Sequence, residues 1–139
     1  MTTEPKSVFA ERILEGRAAF VTGGGTGITG GVARALAEAG ARVALVSRKM
    51  ENLEPAAAKI REEGGEALAF AADVRDYAQV ERAVAAAVER FGGLDIVVNG
   101  AAGNFLCPAS DLSPNGFGAV VDIDLKGTFN VCRASFEEL

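Results

Sequence analysis

The chain has 139 residues, enough for one domain, and its 14 basic and 19 acidic side chains give a formal charge of −5. That balance argues against a nucleic-acid or anionic-membrane surface, where a basic patch is expected. Histidine is absent, which removes imidazole acid–base catalysis and imidazole metal ligands together.

Residues 1–16 read as an N-terminal extension; Met1–Lys6 is polar and lacks the apolar core of a signal peptide. Beyond it, short apolar runs alternate with longer amphipathic ones, the pattern of a parallel α/β sheet. The first strand is expected at Ala18–Thr22, followed by the glycine cluster Gly23–Gly31. A helix is expected from about Ile28 to Ala39, with Gly40 as its stop. A second strand at Arg42–Ser47, a helix at Met50–Glu63 ended by Gly64-Gly65, and a third strand at Ala67–Ala72 follow.

Asp76 reads as an N-cap, with Gln79 completing a capping box. The helix it opens runs to Phe91 and stops at Gly92-Gly93. Val80, Val84, Val88 and Phe91 give that helix one apolar face. The fourth strand, Asp95–Asn99, holds the apolar run Ile96-Val97-Val98, which suits a strand covered on both faces. After a loop, Ser113 and Pro114 read as N-cap and first helical residue. Helix then continues to Leu139, with a break expected near Gly127. A strand order of 3-2-1-4 would leave the fourth strand as an open apolar edge, so further strands are expected beyond Leu139.

Cys107 and Cys132 are too few and too far apart for a zinc knuckle; both are expected to be packing residues of a reduced intracellular protein. No metal and no membrane span are expected, because no apolar run reaches about 18 residues. The expected location is the cytoplasm, or the peroxisome if a C-terminal signal follows. Tyr77, the only tyrosine, reads as a packing or surface residue.

The glycine cluster carries the chemistry. Thr22, Gly23, Gly24, Gly25, Thr26, Gly27 and Ile28 lie between an expected strand and an expected helix. Glycines there allow a tight turn and close approach to a pyrophosphate, while the helix start aims free N–H groups at the anion. The competing reading is a βα loop without a ligand. At the end of the second strand, binders of NAD usually carry an acidic residue for the ribose 2′-OH. Here the residues are Ser47, Arg48 and Lys49. Arg48 can grip a 2′-phosphate through two N–H groups, so NADP(H) is the expected cofactor. The competing reading makes Arg48 and Lys49 solvated charges.

These residues resemble the short-chain dehydrogenase/reductase family. Thr22-Gly23 through Gly27-Ile28 matches its first motif, Asp73-Val74 its adenine-contacting aspartate, and Asn99-Gly100-Ala101-Ala102-Gly103 its Asn-Asn-Ala-Gly segment. Asn99 and Ala101 then join the cofactor-binding set. The resemblance implies a doubly wound Rossmann-type parallel sheet, of which residues 1–139 form an N-terminal, incomplete part. Asn99–Phe105, Leu106-Cys107-Pro108, Leu112–Asn115 and Asp122-Ile123-Asp124 resemble the 2,4-dienoyl-CoA reductases more narrowly.

That resemblance implies hydride transfer from NADPH to the δ-carbon of an acyl-CoA dienoyl thioester, then protonation at the α-carbon. It implies substrate contacts at Arg75, Phe105, Ser113, Pro114 and Asn115, with Arg75 pairing with a CoA phosphate. Asp124 stands where most of the wider family has a catalytic asparagine; it would order a water or a lysine, or donate a proton. Its competing reading is a carboxylate satisfying backbone N–H groups. Asp122 is expected to face elsewhere. Alternatives are a ketone or 3-ketoacyl reductase and a non-catalytic NADP-binding module. A homotetramer built through Ser113–Leu139 is also implied.

Three departures from the family pattern stand out. Thr29 replaces the last motif glycine, which normally permits close helix–strand packing. Ala102 is an extra residue relative to Asn-Asn-Ala-Gly, shared with the dienoyl-CoA type. No Tyr-x-x-x-Lys pair occurs in these 139 residues, so this stretch alone is not expected to turn over substrate.

Overall fold

The computed structural model describes residues 10–139. Four parallel strands form one sheet, as expected, in the order β3-β2-β1-β4. They are β1 (Ala18–Thr22), β2 (Arg42–Ser47), β3 (Ala67–Ala71) and β4 (Ile96–Asn99). Between them run α1 (Gly27–Glu38), α2 (Met50–Glu62) and α3 (Tyr77–Phe91). After β4 come α4 (Pro114–Val121), a π-helical turn (Asp122–Lys126), α5 (Gly127–Ser135) and a short 3₁₀ turn (Phe136–Glu138). Strand and helix ends match the expected ones to within a residue or so.

The strands' two-residue alternation divides the core. Ala18, Phe20, Ala44 and Val46 pack with Val80, Val84 and Phe91 of α3 and Val131 of α5. Ala19, Val21, Val43 and Leu45 face the opposite side, with Ala33 and Ala37 of α1 and Leu53, Ala57 and Ile60 of α2. Helices thus cover both sheet faces, the doubly wound arrangement. Register is parallel throughout: Phe20 stands beside Ala44 and Val97, and Thr22 beside Val46 and Asn99. All four strands therefore end at the same rim.

Two expectations need correction, and the expected extension lies partly within the described residues: there the Leu14 N–H donates to the Ala39 carbonyl at 2.9 Å, and Leu14 packs on the α1–α2 side of the core. Residues 1–9 lie outside the described residues. The helix does not break at Gly127, whose φ is −60°. The disturbance is the π-turn just before it. A Cβ on Gly127 would stand 2.6 Å from Val74 Cγ2, so glycine is needed there for close packing, not as a breaker. Both cysteines are exposed, Cys107 in the loop after β4 and Cys132 on α5 with its sulfur near Asn99 at the end of β4, and neither is among the buried core residues. Tyr77 is half-buried, within the range expected.

The start of β1 is tied to β4 by Asp95. Its carboxylate accepts from the Ala18 N–H at 2.9 Å and from the Arg17 guanidinium at 2.6 Å. The Arg17 hydrogen bond, then the Ala18 N–H, hold the Asp95 carboxyl below the usual carboxylate range. A depressed carboxyl pKa contributes stability above about pH 4 that is lost as pH falls through the folded-state value. Asp95→Asn is therefore expected to be less stable than the parent at pH 7, with the gap closing toward about pH 2. Urea unfolding of both proteins at several pH values checks this; a gap that is independent of pH would contradict it.

Candidate functional site

At the C-terminal rim of the sheet lies a cleft of about 530 Å³. Its walls come from the β1–α1 turn, the ends of β2 and β3, and the loop after β4. The rim of a doubly wound sheet is where such folds take ligands, in the crevice beside β1 where the strand order reverses.

One wall is the glycine turn. Gly23, Gly25, Thr26, Gly27 and Ile28 line the cleft. Gly23 has φ +69°, and a Cβ there would meet the Gly100 carbonyl oxygen at 2.6 Å. A Cβ on Gly24 would lie 2.9 Å from Leu45 Cδ2, so Gly24 serves packing beneath the turn and is not in the lining. A Cβ on Gly25 would lie 2.9 Å from the Asn52 carbonyl oxygen. Helix α1 begins at Gly27 with no side-chain cap from Thr26 and no acidic residue in its first turn. Its N-terminal donors are thus left for an external anion.

The second wall carries charge. Ser47, Arg48 and Lys49 line it at the end of β2. Lys49 Nζ stands 3.7 Å from Glu51, whereas Arg48 makes no ion pair among the described residues. Asp73 and Val74 line the floor beyond β3. The Asp73 carboxylate takes hydrogen bonds from Arg75 Nε at 3.0 and 3.1 Å, and its own N–H donates to Gln79 Oε1 at 3.1 Å. The Arg75 hydrogen bond holds the Asp73 carboxyl below its ordinary range against the opposing effect of burial, with Arg48 adding attraction. The Gln79 N–H donates to Asp76 Oδ1 at 3.2 Å, so the expected N-cap forms, but the capping box does not close: the Asp76 N–H donates to the Asp73 carbonyl at 3.0 Å, and the Gln79 side chain spans the Asp76 carboxylate at 2.9 Å and the Asp73 N–H. Arg75 is outside the lining, and its guanidinium is engaged with Asp73 two residues away.

The third wall is the loop after β4. Thr22 is 1% exposed and does not reach the cleft. Its Oγ1 instead accepts from the N–H groups of Gly100 and Ala101, both at 3.1 Å. Ala101 lines the cleft, but Asn99 does not; the Asn99 amide donates to Cys132 Sγ at 3.4 Å. Asp124 Oδ1 accepts from the Gly103 N–H at 2.9 Å, and Ile123 Cδ1 would stand 2.6 Å from a Cβ on Gly103. The π-turn thus fastens the loop at the mouth of the cleft. This is the competing reading of Asp124, a carboxylate satisfying backbone, although the N–H belongs to the loop and not to a helix end. Asp122 faces elsewhere, paired with Lys126 at 2.6 Å.

The expected substrate residues gather apart from the cleft. Phe105, 56% exposed, has its Cε2 3.6 Å from where a Cβ on Gly116 would be. Ser113 Oγ accepts from the Gly116 N–H at 3.0 Å and caps α4, with exposed Pro114 and Asn115 following. Ser113→Ala is expected to cost about 1 kcal/mol through the lost cap. Chemical denaturation measures it, and an unchanged midpoint would contradict the capping role.

The expected site residues left out Thr29, Asn52, Ala72, Gly100, Ala102 and Ile123, all of which line the cleft. Asn52 sits in a helix whose periodicity marks it only as surface. Ile123 carried no signal beyond its place between two aspartates.

The sequence profile described as short chain dehydrogenase matches residues 17–139. The chain belongs to the short chain dehydrogenase family. It is 43% identical over 133 residues to the peroxisomal 2,4-dienoyl-CoA reductase of Arabidopsis thaliana, covering 96% of this chain and 45% of that protein. It is 45% identical over 131 residues to the Saccharomyces cerevisiae reductase of the same description, covering 91% and 45%. Among solved structures, a citronellol catabolism dehydrogenase of Pseudomonas aeruginosa superposes with TM-score 0.87 at 38% identity, over 96% of this chain and 54% of that one. A dehydrogenase/reductase from Sinorhizobium meliloti gives 0.88 at 35%, over 93% and 52%. This short chain dehydrogenase sequence thus spans about half the length of the relatives it matches.

Proposed function

We propose that the protein to which this chain belongs reduces 2,4-dienoyl-CoA thioesters with NADPH. The observation that carries the cofactor reading is Arg48, without an ion pair among the described residues, in the same cleft as an uncapped helix start. The names of the relatives support the substrate class, and they place those enzymes in peroxisomes, the alternative of the two expected locations.

The residues fit a phosphorylated dinucleotide. Gly23, Gly24, Gly25, Thr26, Gly27 and Ile28 would let a diphosphate lie against the start of α1. Arg48, flanked by Ser47 and Lys49, would grip the 2′-phosphate. Asp73 and Val74 would face the adenine, with Arg75 keeping the carboxylate charged and oriented. Ala101 would line the nicotinamide end, on a loop that Thr22 holds from beneath and Asn99 precedes. NADPH supplies a hydride when bound. Asp124 would hold the loop over the reacting atoms or relay a proton, and Phe105 with Ser113, Pro114 and Asn115 would border the acyl slot. The exposed Phe117, Leu125 and Phe129 on α4, the π-turn and α5 support a homo-oligomer, which light scattering of the complete protein tests.

The decisive assay follows NADPH oxidation by the complete protein with a 2,4-dienoyl-CoA and, separately, a 3-ketoacyl-CoA. Consumption with the dienoyl substrate is expected. Turnover of the ketone alone would replace the proposal with a ketoreductase, and turnover of neither with a non-catalytic binding module.

A further inference from the structure

The sequence departs from the family motif at Thr29, where close helix–strand packing calls for glycine. The structure accommodates it at one place. A Cβ built on Gly100 would stand 1.9 Å from Thr29 Cγ2 and 2.9 Å from Thr29 Cβ. The threonine methyl therefore fills the space that a side chain at residue 100 would need. Gly100 lies in the Asn99–Gly103 segment that follows β4. Its φ is not among the positive ones, so glycine is not required at 100 for backbone conformation. The Thr29 methyl at 1.9 Å and the Thr22 carbonyl oxygen at 2.8 Å both exclude a side chain there.

This contact lies at a junction. The Gly100 carbonyl oxygen is the atom that excludes a side chain at Gly23, and the Gly100 N–H is held by Thr22 Oγ1 at 3.1 Å. Thr29 and Gly100 both line the cleft. The separation of the α1 start from the β4 loop is thus set by how these two residues fit.

We propose that Thr29 and Gly100 are a size-matched pair of positioning residues that fixes the width of the cleft between the α1 N-terminus and the β4 loop. The claim about cleft function rests on the nucleotide reading above; the packing claim does not. Interiors resist added volume, and residues in contact show non-additive substitution effects.

The test is a double-mutant cycle in the complete protein with Gly100→Ala, Thr29→Gly and the double variant. Thermal midpoints are read without ligand, and NADPH affinity is read by titration well below every midpoint. Gly100→Ala is expected to lower the midpoint and weaken NADPH binding about tenfold when Thr29 is present. In the Thr29→Gly background both losses should shrink. Rescue should be partial, because the Thr22 carbonyl oxygen would still lie 2.8 Å from the new Cβ. If Gly100→Ala does not fold, Thr29→Ser, which removes only the methyl, should restore a folded Gly100→Ala protein; failure to do so overturns the pairing. Equal losses in both backgrounds would also overturn it. Coupled midpoints with unchanged affinity would overturn the positioning role and leave packing alone. Coupled midpoints in a protein that never binds NADPH would refute the cofactor reading instead.

Discussion

Gly23→Ala is expected to destabilise the domain by about 2–5 kcal/mol and to abolish dinucleotide binding. Two costs combine. The left-handed φ of +69° penalises any L-side chain by roughly 1–2 kcal/mol. A Cβ would also lie 2.6 Å from the Gly100 carbonyl oxygen, and overpacking of this kind costs about 1–3 kcal/mol. The obstacle is backbone held by Thr22, so it cannot swing aside as a flexible side chain would. Relief must come from moving the turn off the β4 loop, which pulls apart two walls of the cleft. Chemical denaturation and NADPH titration of the complete protein measure the two effects. A variant with parental stability and affinity would show that the turn is not held as described.

Arg48→Asp is expected to weaken NADPH binding ten- to a hundredfold or more while leaving NADH binding equal or better. A charge-assisted hydrogen bond contributes about 1.5–3 kcal/mol, and about 1.4 kcal/mol is a factor of ten. The new carboxylate would repel a 2′-phosphate but accept from a ribose 2′-OH. Arg48 makes no ion pair among the described residues, so its replacement breaks no internal bridge and the thermal midpoint should hardly move. Lys49, already near Glu51, is the weaker substitute. Stopped-flow or calorimetric titration with both nucleotides reads the switch. Equal losses for NADPH and NADH would mean that Arg48 does not discriminate between them.

The frame of the site was legible because local signals agreed with one another. The short apolar runs of β1 and β2, the glycine stops after α2 and α3, and the Asp76 and Ser113 caps each rest on short-range chemistry. They led to a parallel α/β sheet, and the order observed is the one whose consequence for β4 was weighed from the sequence. The glycine turn was legible for the same reason, as was the lack of an acid after β2.

What escaped the sequence depends on contacts between distant segments. Thr29 looked like a crowding defect until Gly100, 71 positions later, proved to be the space it fills. Thr22 looked like a ligand contact, yet its hydroxyl is spent on the loop after β4. Arg75 has an arginine's reach, but Asp73 two residues away captures it. Asp124 could be placed near the site, although its bond to the Gly103 N–H follows from a π-turn that no residue pattern announced. The cysteines were misjudged because the average burial of cysteine says little about one residue in a loop or one beside the exposed end of β4.

The most direct measurement is a crystal structure of the complete protein grown with NADPH. The diphosphate should lie against Gly25–Ile28, with the 2′-phosphate in hydrogen-bonding distance of the Arg48 guanidinium. A nucleotide bound elsewhere, or one whose 2′-phosphate points to solvent away from Arg48, would contradict the assignment of this cleft.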